Sequence, residues 1–390
     1  MNLAVATSNP DAVSETYVRQ HMRLVRPGAT VAIGLSCNGK PELDIPVHCV
    51  CQTRRWPFGK LATMATLLRT GYGAALSLAE ERHLAAFLKA HEVKAVLAEF
   101  GTSGAALRVF CRKAGLPLFV NFHGHDATVL GHRKDIRRSY RLLARDAKRV
   151  ICGSRHFAGL LEDLGFPAAK IEVIPCGIEM EGFSAQGEKD HNLIIAVGRL
   201  TRKKRPDIAI RAFALARKER PSLRLEIIGE GGQRTACEDA IRQLGLESSV
   251  TLLGARSHHE VKARLAGAGI FIQHSVTSEN GDQESQGISL LEAMASGLPV
   301  VTTDHNGFSE AVTHGETGYL SPEGDVEAMA DNILRLANDS ELARRFGRAG
   351  RARIESQFDA LHLAGRLREL IFGGGEMGHS SSADSRRESA

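Results

Sequence analysis

The chain has 390 residues, 43% of them hydrophobic and 24% charged, more than one typical domain holds and suited to two of about 150–190 residues each. No apolar run approaches the ~18 residues a spanning helix needs, Met1–Pro10 has no basic-then-apolar leader, and the seven cysteines include no C-x-x-C pair. A membrane-spanning protein, a disulfide framework and a zinc site are therefore not expected, and the thiols read as buried or free in a reducing, cytoplasmic compartment.

In chain order, Leu3–Ser8 is a short apolar strand. Ser14 then stands where a helix cap would, before Tyr17, Val18, His21, Met22 and Val25 at helical spacing. Strands follow at Thr30–Leu35, Val47–Val50, Val93–Glu99, Leu118–Phe122 and Arg149–Gly153, with helical patterns over Ala75–His91 and Gly104–Ala114. Such alternation predicts a parallel, doubly wound sheet that binds ligands at the carboxyl ends of its strands. One such end reads FVNFHGHDATVL, placing His123 directly after a strand with Asp126 close behind. Position alone makes that histidine a hydrogen-bonded loop residue as readily as a functional one. Arg133, Arg137, Arg141 and Arg145 recur every fourth residue, a basic stripe that is either a solvated helix face or a contact for lipid phosphates. Residues 1–185 carry 24 Lys/Arg against 16 Asp/Glu, and the rest 26 against 29, so only the first half is suited to face a polyanion. The polar residues 182–191 read as a linker.

The second half opens with the strand Leu193–Val197, then Gly198, Arg199, Lys203 and Lys204, before a helix at Pro206–Asp207. Cations around a strand-to-helix turn can neutralise a diphosphate. Gly229, Gly231 and Gly232 follow another strand and permit close backbone approach to a ligand, with a nucleotide base nearby, but they form neither a dinucleotide fingerprint nor a P-loop. Residues 269–303 read as strand, loop, helix and strand, the helix beginning near Gly287–Ser289. Glu284 and Glu292 bracket its start with seven residues between them. The open N–H groups of Gln286–Ser289 suit a phosphate, and a carboxylate on each side suits sugar and ribose hydroxyls. A capping acid and a solvent-facing glutamate on an ordinary crossover are the bland alternative.

The segment ESQGISLLEAMASGLPVV resembles the donor-site signature of retaining glycosyltransferases of family four. Gly-Arg-Leu with Lys204 five after the arginine, His-Gly-x-Asp at His123, KIEVIPCGIE and GETGYLSPEGD are similar to further segments of that family. SETYV and QHSVTSENGDQESQG resemble its bacterial exopolysaccharide and lipopolysaccharide subgroup. The first turn departs from many members in lacking a Gly-Gly pair, and Glu179 stands where an aspartate is usual.

The resemblance implies an α/β chain of the GT-B class, two doubly wound Rossmann-like domains facing across a cleft. The acceptor-side domain would cover 1–181, the linker 182–191, the nucleotide-sugar domain 192–356, a crossover helix 357–373 and a disordered tail 374–390. It implies retaining, metal-independent transfer of a hexosyl group from a UDP- or GDP-linked sugar to an acceptor hydroxyl, with no cofactor beyond that co-substrate. Arg199 and Lys204 would meet the leaving diphosphate. Gly229, Gly231, Glu284, Ser285, Gln286, Gly287, Ile288 and Glu292 would bind the donor, and His123 would lie near its sugar, oriented by Asp126. Ser14 and Glu15 would lie beside the acceptor, a saccharide either lipid-linked or soluble. With a lipid-linked acceptor the first domain would work at the inner face of the cell membrane, on anionic lipid. Nucleic acid is not an expected partner. A dinucleotide oxidoreductase is disfavoured by the missing fingerprint; a non-catalytic sugar-nucleotide binder stays open.

Overall fold

The computed structural model describes residues 1–10, 12, 16–37, 43–50, 59–185 and 187–373. In the first half, strands β1 (Asn2–Thr7), β2 (Thr30–Gly34), β3 (Val47–Cys49), β4 (Val93–Glu99), β5 (Leu118–Phe122), β6 (Arg149–Cys152) and β7 (Ile171–Val173) form one parallel sheet. Its helices are α1 (Thr16–Leu24), α2 (Gly59–Thr70), α3 (Leu78–Ala90), α4 (Gly101–Ala114), α5 (Lys134–Asp146) and α6 (Arg155–Asp163). In the second half, β8 (Asp190–Val197), β9 (Arg224–Ile228), β10 (Val250–Gly254), β11 (Ala268–Gln273), β12 (Val300–Thr303) and β13 (Gly318–Ser321) form another. There α7 (Pro206–Glu219), α8 (Arg234–Gln243), α9 (His258–Gly267), α10 (Ile288–Ala295), α11 (Phe308–Ala311), α12 (Val326–Asn338), α13 (Ser340–Gln357) and α14 (Ala360–Phe372) complete the chain.

The strand orders are 3-2-1-4-5-6-7 and 10-9-8-11-12-13, so each sheet reverses direction once, between β1 and β4 and between β8 and β11. Loops leaving the two strands at a reversal diverge and open a crevice, which is where such sheets bind ligands. Both faces of each sheet are covered by helices, so the strands are apolar on both sides: Ala4, Ala6, Val96 and Val120 face one cluster, Leu3, Val5, Leu97 and Ile151 the other. Local chemistry agrees with the helix boundaries. Ser77 with Glu80, and Ser257 with Glu260, form capping boxes at the starts of α3 and α9, and Gly115 ends α4 in the left-handed region.

The last helix returns to the first half. Leu363, Leu367 and Ile371 of α14 are buried among Leu3, Val5, Val18 and Met22. Beside it the chain's two crossings pair: Ile178 N–H donates to the Phe358 carbonyl (2.8 Å) and Ala360 N–H to the Ile178 carbonyl (3.1 Å).

The cysteine expectation needs correction. Cys37 and Cys49 form a disulfide, their Cα atoms 6.0 Å apart. The cause is tertiary: β2 and β3 are parallel neighbours with Gly34 opposite Cys49, so the residue three beyond β2 comes beside the end of β3. Cys111, Cys152, Cys176 and Cys237 are buried free thiols. Among the described residues no helix is long and apolar enough to cross a membrane. The expected tail 374–390 lies outside them.

Candidate active site

A cleft of about 680 Å³ lies between the halves, where the two reversal points face each other. Its second-half wall is the start of α10. Gly287 caps that helix at φ 72, and a Cβ there would run into the Phe308 ring, so only glycine fits. Its carbonyl accepts from Leu290 (2.9 Å) and Leu291 (3.3 Å), while the amides of Ile288 and Ser289, both lining the cleft, take no partner among the described residues. The helix end is thus anion-ready. It begins at Ile288, and Gln286 is not part of it. The Gln286 carboxamide instead crosses to the other half, accepting from Cys176 N–H (2.8 Å) and donating to the Cys176 carbonyl (2.9 Å). Ser285 also crosses, its hydroxyl donating to the His123 carbonyl (2.9 Å).

Opposite the helix end stand the cations from the loop after β8. Lys204 Nζ lies 3.0 Å from Glu284 Oε2. Burial would raise the Glu284 carboxyl, but Lys204, Lys203 and Arg199 outweigh it and bring it down to about 2. Arg199 is exposed at the cleft. Lys203 is a structural residue despite its position: it is buried, binding Asp282 (3.3 Å) and the Gln283 carbonyl (3.0 Å). Lys204 and Glu284 thus neutralise one another at the wall of the cleft.

The Glu284 peptide is fixed from the loop after β12. His305 is 1% exposed, and its ring, with the tautomer set by its neighbours, donates through Nδ1 to Glu323 and accepts at Nε2 from Glu284 N–H (3.2 Å). Burial, the largest influence, holds the His305 pKa below the usual histidine value and keeps that acceptor unprotonated. Asn306 donates to the Glu284 carbonyl (3.1 Å). Glu292, on α10, lies 3.0 Å from His258 Nε2 and faces a small side pocket rather than the main cleft. Ile288 lines both, so the two carboxylates flank one helix start.

From the first half, His123 enters the cleft between the rings of Tyr17 (centroids 4.4 Å apart) and Phe100 (4.9 Å). Its Nε2 lies 2.6 Å from Glu99 Oε2, and His21 Nδ1 is 2.7 Å from the other carboxylate oxygen. Glu99 is fully buried. Desolvation would raise its carboxyl, yet the two imidazoles hold it well below the usual range. For His123 burial acts downward, and contacts with Cys176 and Glu99 overcome it, raising the pKa. The imidazolium is therefore the resident form. Phe100, next to Glu99, holds the strained φ of 77 while donating its N–H to Asn121 (2.7 Å).

Several expected roles shift. Asp126 does not touch the His123 ring. It is buried and its carboxylate accepts three backbone N–H groups, from Gly101 (2.8 Å), His123 (3.1 Å) and Gly124 (3.0 Å), so it shapes the loop while Glu99 orients the imidazole. Gly229 and Gly231 do not line the cleft. A Cβ on either would strike the backbone of Gly198 or Leu200, so these glycines let the loops after β8 and β9 pack together. The arginine stripe is exposed as expected, but Arg133 precedes α5 and pairs with Asp135 (3.0 Å), and Arg137 donates to the Asp163 carbonyl (3.0 Å). Ser14 and Glu15 lie outside the described residues. Glu99, His258, His305 and Asn306 escaped the sequence reading. Only Glu99 left a local signal, a lone acid closing an apolar strand.

Both halves of the chain are similar to known proteins. Residues 15–177 match the family described as "Glycosyl transferase 4-like domain" and residues 180–353 the one described as "Glycosyl transferases group 1". The amylovoran biosynthesis glycosyltransferase AmsK of Erwinia amylovora is 34% identical over 282 residues, 70% of this chain and 69% of that protein. A GDP-mannose-dependent phosphatidylinositol monomannoside mannosyltransferase of Mycolicibacterium smegmatis is 28% identical over 296 residues, 73% of this chain and 77% of its own. Among solved structures, Anabaena Alr3699/HepE in complex with UDP superposes with a TM-score of 0.76 at 19% identity, covering 95% of this chain and 99% of that one, a likeness of fold. Two facing Rossmann-like domains, both halves matched, and a relative identical at a third of the aligned positions lead to one conclusion: the chain belongs to the family-four, group 1 glycosyltransferases, GT-B enzymes that transfer a sugar from a nucleotide donor.

Proposed function

We propose that the chain is a retaining, metal-independent hexosyltransferase that extends a saccharide for an exported polysaccharide, using a uridine or guanosine diphosphate sugar. One observation carries this: Glu284 and Glu292 flank the open amides of α10 while Lys204 and Arg199 stand across from them. The diphosphate lies against the helix end and the two cations. Charge developing on the departing phosphate oxygen meets them, the kind of preorganised stabilisation that dominates such catalysis. Those groups supply the charge that a divalent ion would otherwise bring. Glu284 holds hydroxyls of the donor sugar and Glu292 those of the ribose. His123, with Nε2 engaged by Glu99, acts as a fixed positive group beside the sugar and not as a base.

The acceptor is a lipid-linked saccharide met at the inner face of the membrane. Support comes from the excess of cations in the first half, the exposed arginines of α5 and the polysaccharide named for AmsK. The test begins with thermal shifts against UDP and GDP sugars, where a ligand at 100 times its dissociation constant adds about 2.7 kcal/mol. Product NMR with the stabilising donor, in EDTA, then reads the anomeric configuration. Retention without added metal is expected. An inverted product, or activity abolished by EDTA and restored by a divalent ion, contradicts the proposal.

A further inference from the structure

Glu284 and Glu292 flank one helix start but are held by different partners. Glu284 pairs with Lys204, whereas the Glu292 carboxylate meets His258 Nε2 at 3.0 Å. A carboxylate only accepts, so Nε2 carries the proton in either charge state of the ring. Among the described residues no other side chain bonds the Glu292 carboxylate. The contact differs from an ordinary surface pair. Although the His258 side chain is 51% exposed, that of Glu292 is 13% exposed, and a shielded pair is screened far less than a solvated one.

The imidazole is itself fixed. His258 is the first residue of α9, where the Ser257–Glu260 capping box sets the backbone. Its ring stands edge-on to that of Phe183, with centroids 5.9 Å apart. Phe183 is buried and carries Lys262 Nζ 4.4 Å from its ring centre, and Lys262 is anchored in turn on the Glu181 carbonyl (2.7 Å). His258, Phe183 and Glu292 together line the side pocket, whose volume is about 50 Å³. On the scale of the ~30 Å³ that a water occupies in the liquid, such a space takes one or two hydroxyl groups and excludes a base. Tyr17 and Ile288 line both this pocket and the donor cleft, so a nucleotide lying in the cleft can turn one edge into it.

We propose that His258 is a positioning residue for the donor's ribose: its Nε2–H holds one oxygen of Glu292 so that the other addresses the 2′,3′-diol, and the pair selects ribonucleotides over their deoxy forms. The inference rests on the donor reading of the cleft and adds to it the group that orients one of the two glutamates. A glutamate on a helix flank has three side-chain torsions to fix. One hydrogen bond from a ring already locked by a capping box and an aromatic edge fixes them before the nucleotide arrives, which lowers the ordering cost of binding.

The test is calorimetric titration of the full chain with UDP and GDP, then with the 2′-deoxy and 3′-deoxy analogues of the one that binds. It compares the wild type with His258→Phe, which keeps a ring against Phe183 without the N–H, and His258→Gln, which keeps an N–H at similar reach. The wild type is expected to bind the ribonucleotide about tenfold or more tightly than at least one deoxy analogue, the scale of a charge-assisted hydrogen bond. In His258→Phe the ribonucleotide is expected to weaken about three- to tenfold while that analogue stays within about twofold, so the preference shrinks. His258→Gln is expected to retain most of it. An unchanged preference in His258→Phe, with the preference lost in Glu292→Gln, overturns the proposal and leaves the donor reading standing. Equal weakening of ribo and deoxy forms in His258→Phe also overturns it, because His258 then supports the fold or touches another part of the nucleotide. The donor reading fails differently: neither nucleotide binds, or wild type and Glu292→Gln alike ignore the ribose hydroxyls, and the inference falls with it.

Discussion

Glu99 is the residue on which the first-half site turns. A carboxylate without solvent access survives because two imidazoles face its two oxygens, and removing its charge would leave the His123 imidazolium without that counter-ion. The signs of the shifts fix a pH window. Glu99 is depressed, so its contribution is present above the ordinary carboxylate value of ~4.3 and lost as pH falls through the folded value. His123 is raised, so its contribution is full below ~6.5 and lost as pH rises through its folded value. Together they stabilise most between those limits. We predict that Glu99→Gln lowers Tm most near pH 5–6, in the interval set by those two values, and that the His123 ring, charged through neutral pH in the wild type, becomes neutral at pH 7 in the variant by NMR. A His123 resonance titrating identically in both proteins would contradict the pairing. Turnover should fall more than donor affinity, since the imidazole approaches from the domain opposite the nucleotide.

At the scale of elements, the loop before α10 is held by groups far away in sequence. His305, in the loop after β12, accepts the Glu284 N–H, and its depressed pKa keeps it able to do so at neutral pH. Replacing it by alanine strands a part-buried N–H and loosens the carboxylate, which should cost about 1–3 kcal/mol of stability. Activity of the wild type should also fall on the acid side as His305 protonates, and Tm curves with initial rates against pH check both. The unit around α10 was legible in sequence because its signals are local: an apolar strand, a polar loop and a helix start between two glutamates. What was not legible is what meets there. His305, Glu99 and His258 reach their partners only through strand order, and the Cys37–Cys49 bridge depends on β2 and β3 lying side by side. At Gly229 and Gly231 close approach was read correctly, but its object is the neighbouring loop's backbone and not a ligand.

The whole molecule is two sheets brought together at their reversal points, with α14 and the paired crossings joining the halves. Gln286 ties the loop before α10 to the Cys176 backbone, and Ser285 ties it to His123, so these bonds set the distance between that loop and the imidazole. Gln286→Ala is predicted to leave nucleotide affinity nearly unchanged and to lower kcat; an equal loss in both would place Gln286 in donor binding instead. The central claim is that the start of α10, with Lys204 and the two glutamates, is the donor site, and calorimetric titration of the stabilising nucleoside diphosphate tests it most directly. Lys204→Ala and Glu292→Gln should each weaken that nucleotide by about tenfold or more, the loss of one charge-assisted hydrogen bond. Glu284→Gln should leave it unchanged while sharply reducing transfer from the nucleotide sugar. Wild-type nucleotide affinity in both Lys204→Ala and Glu292→Gln would contradict the account.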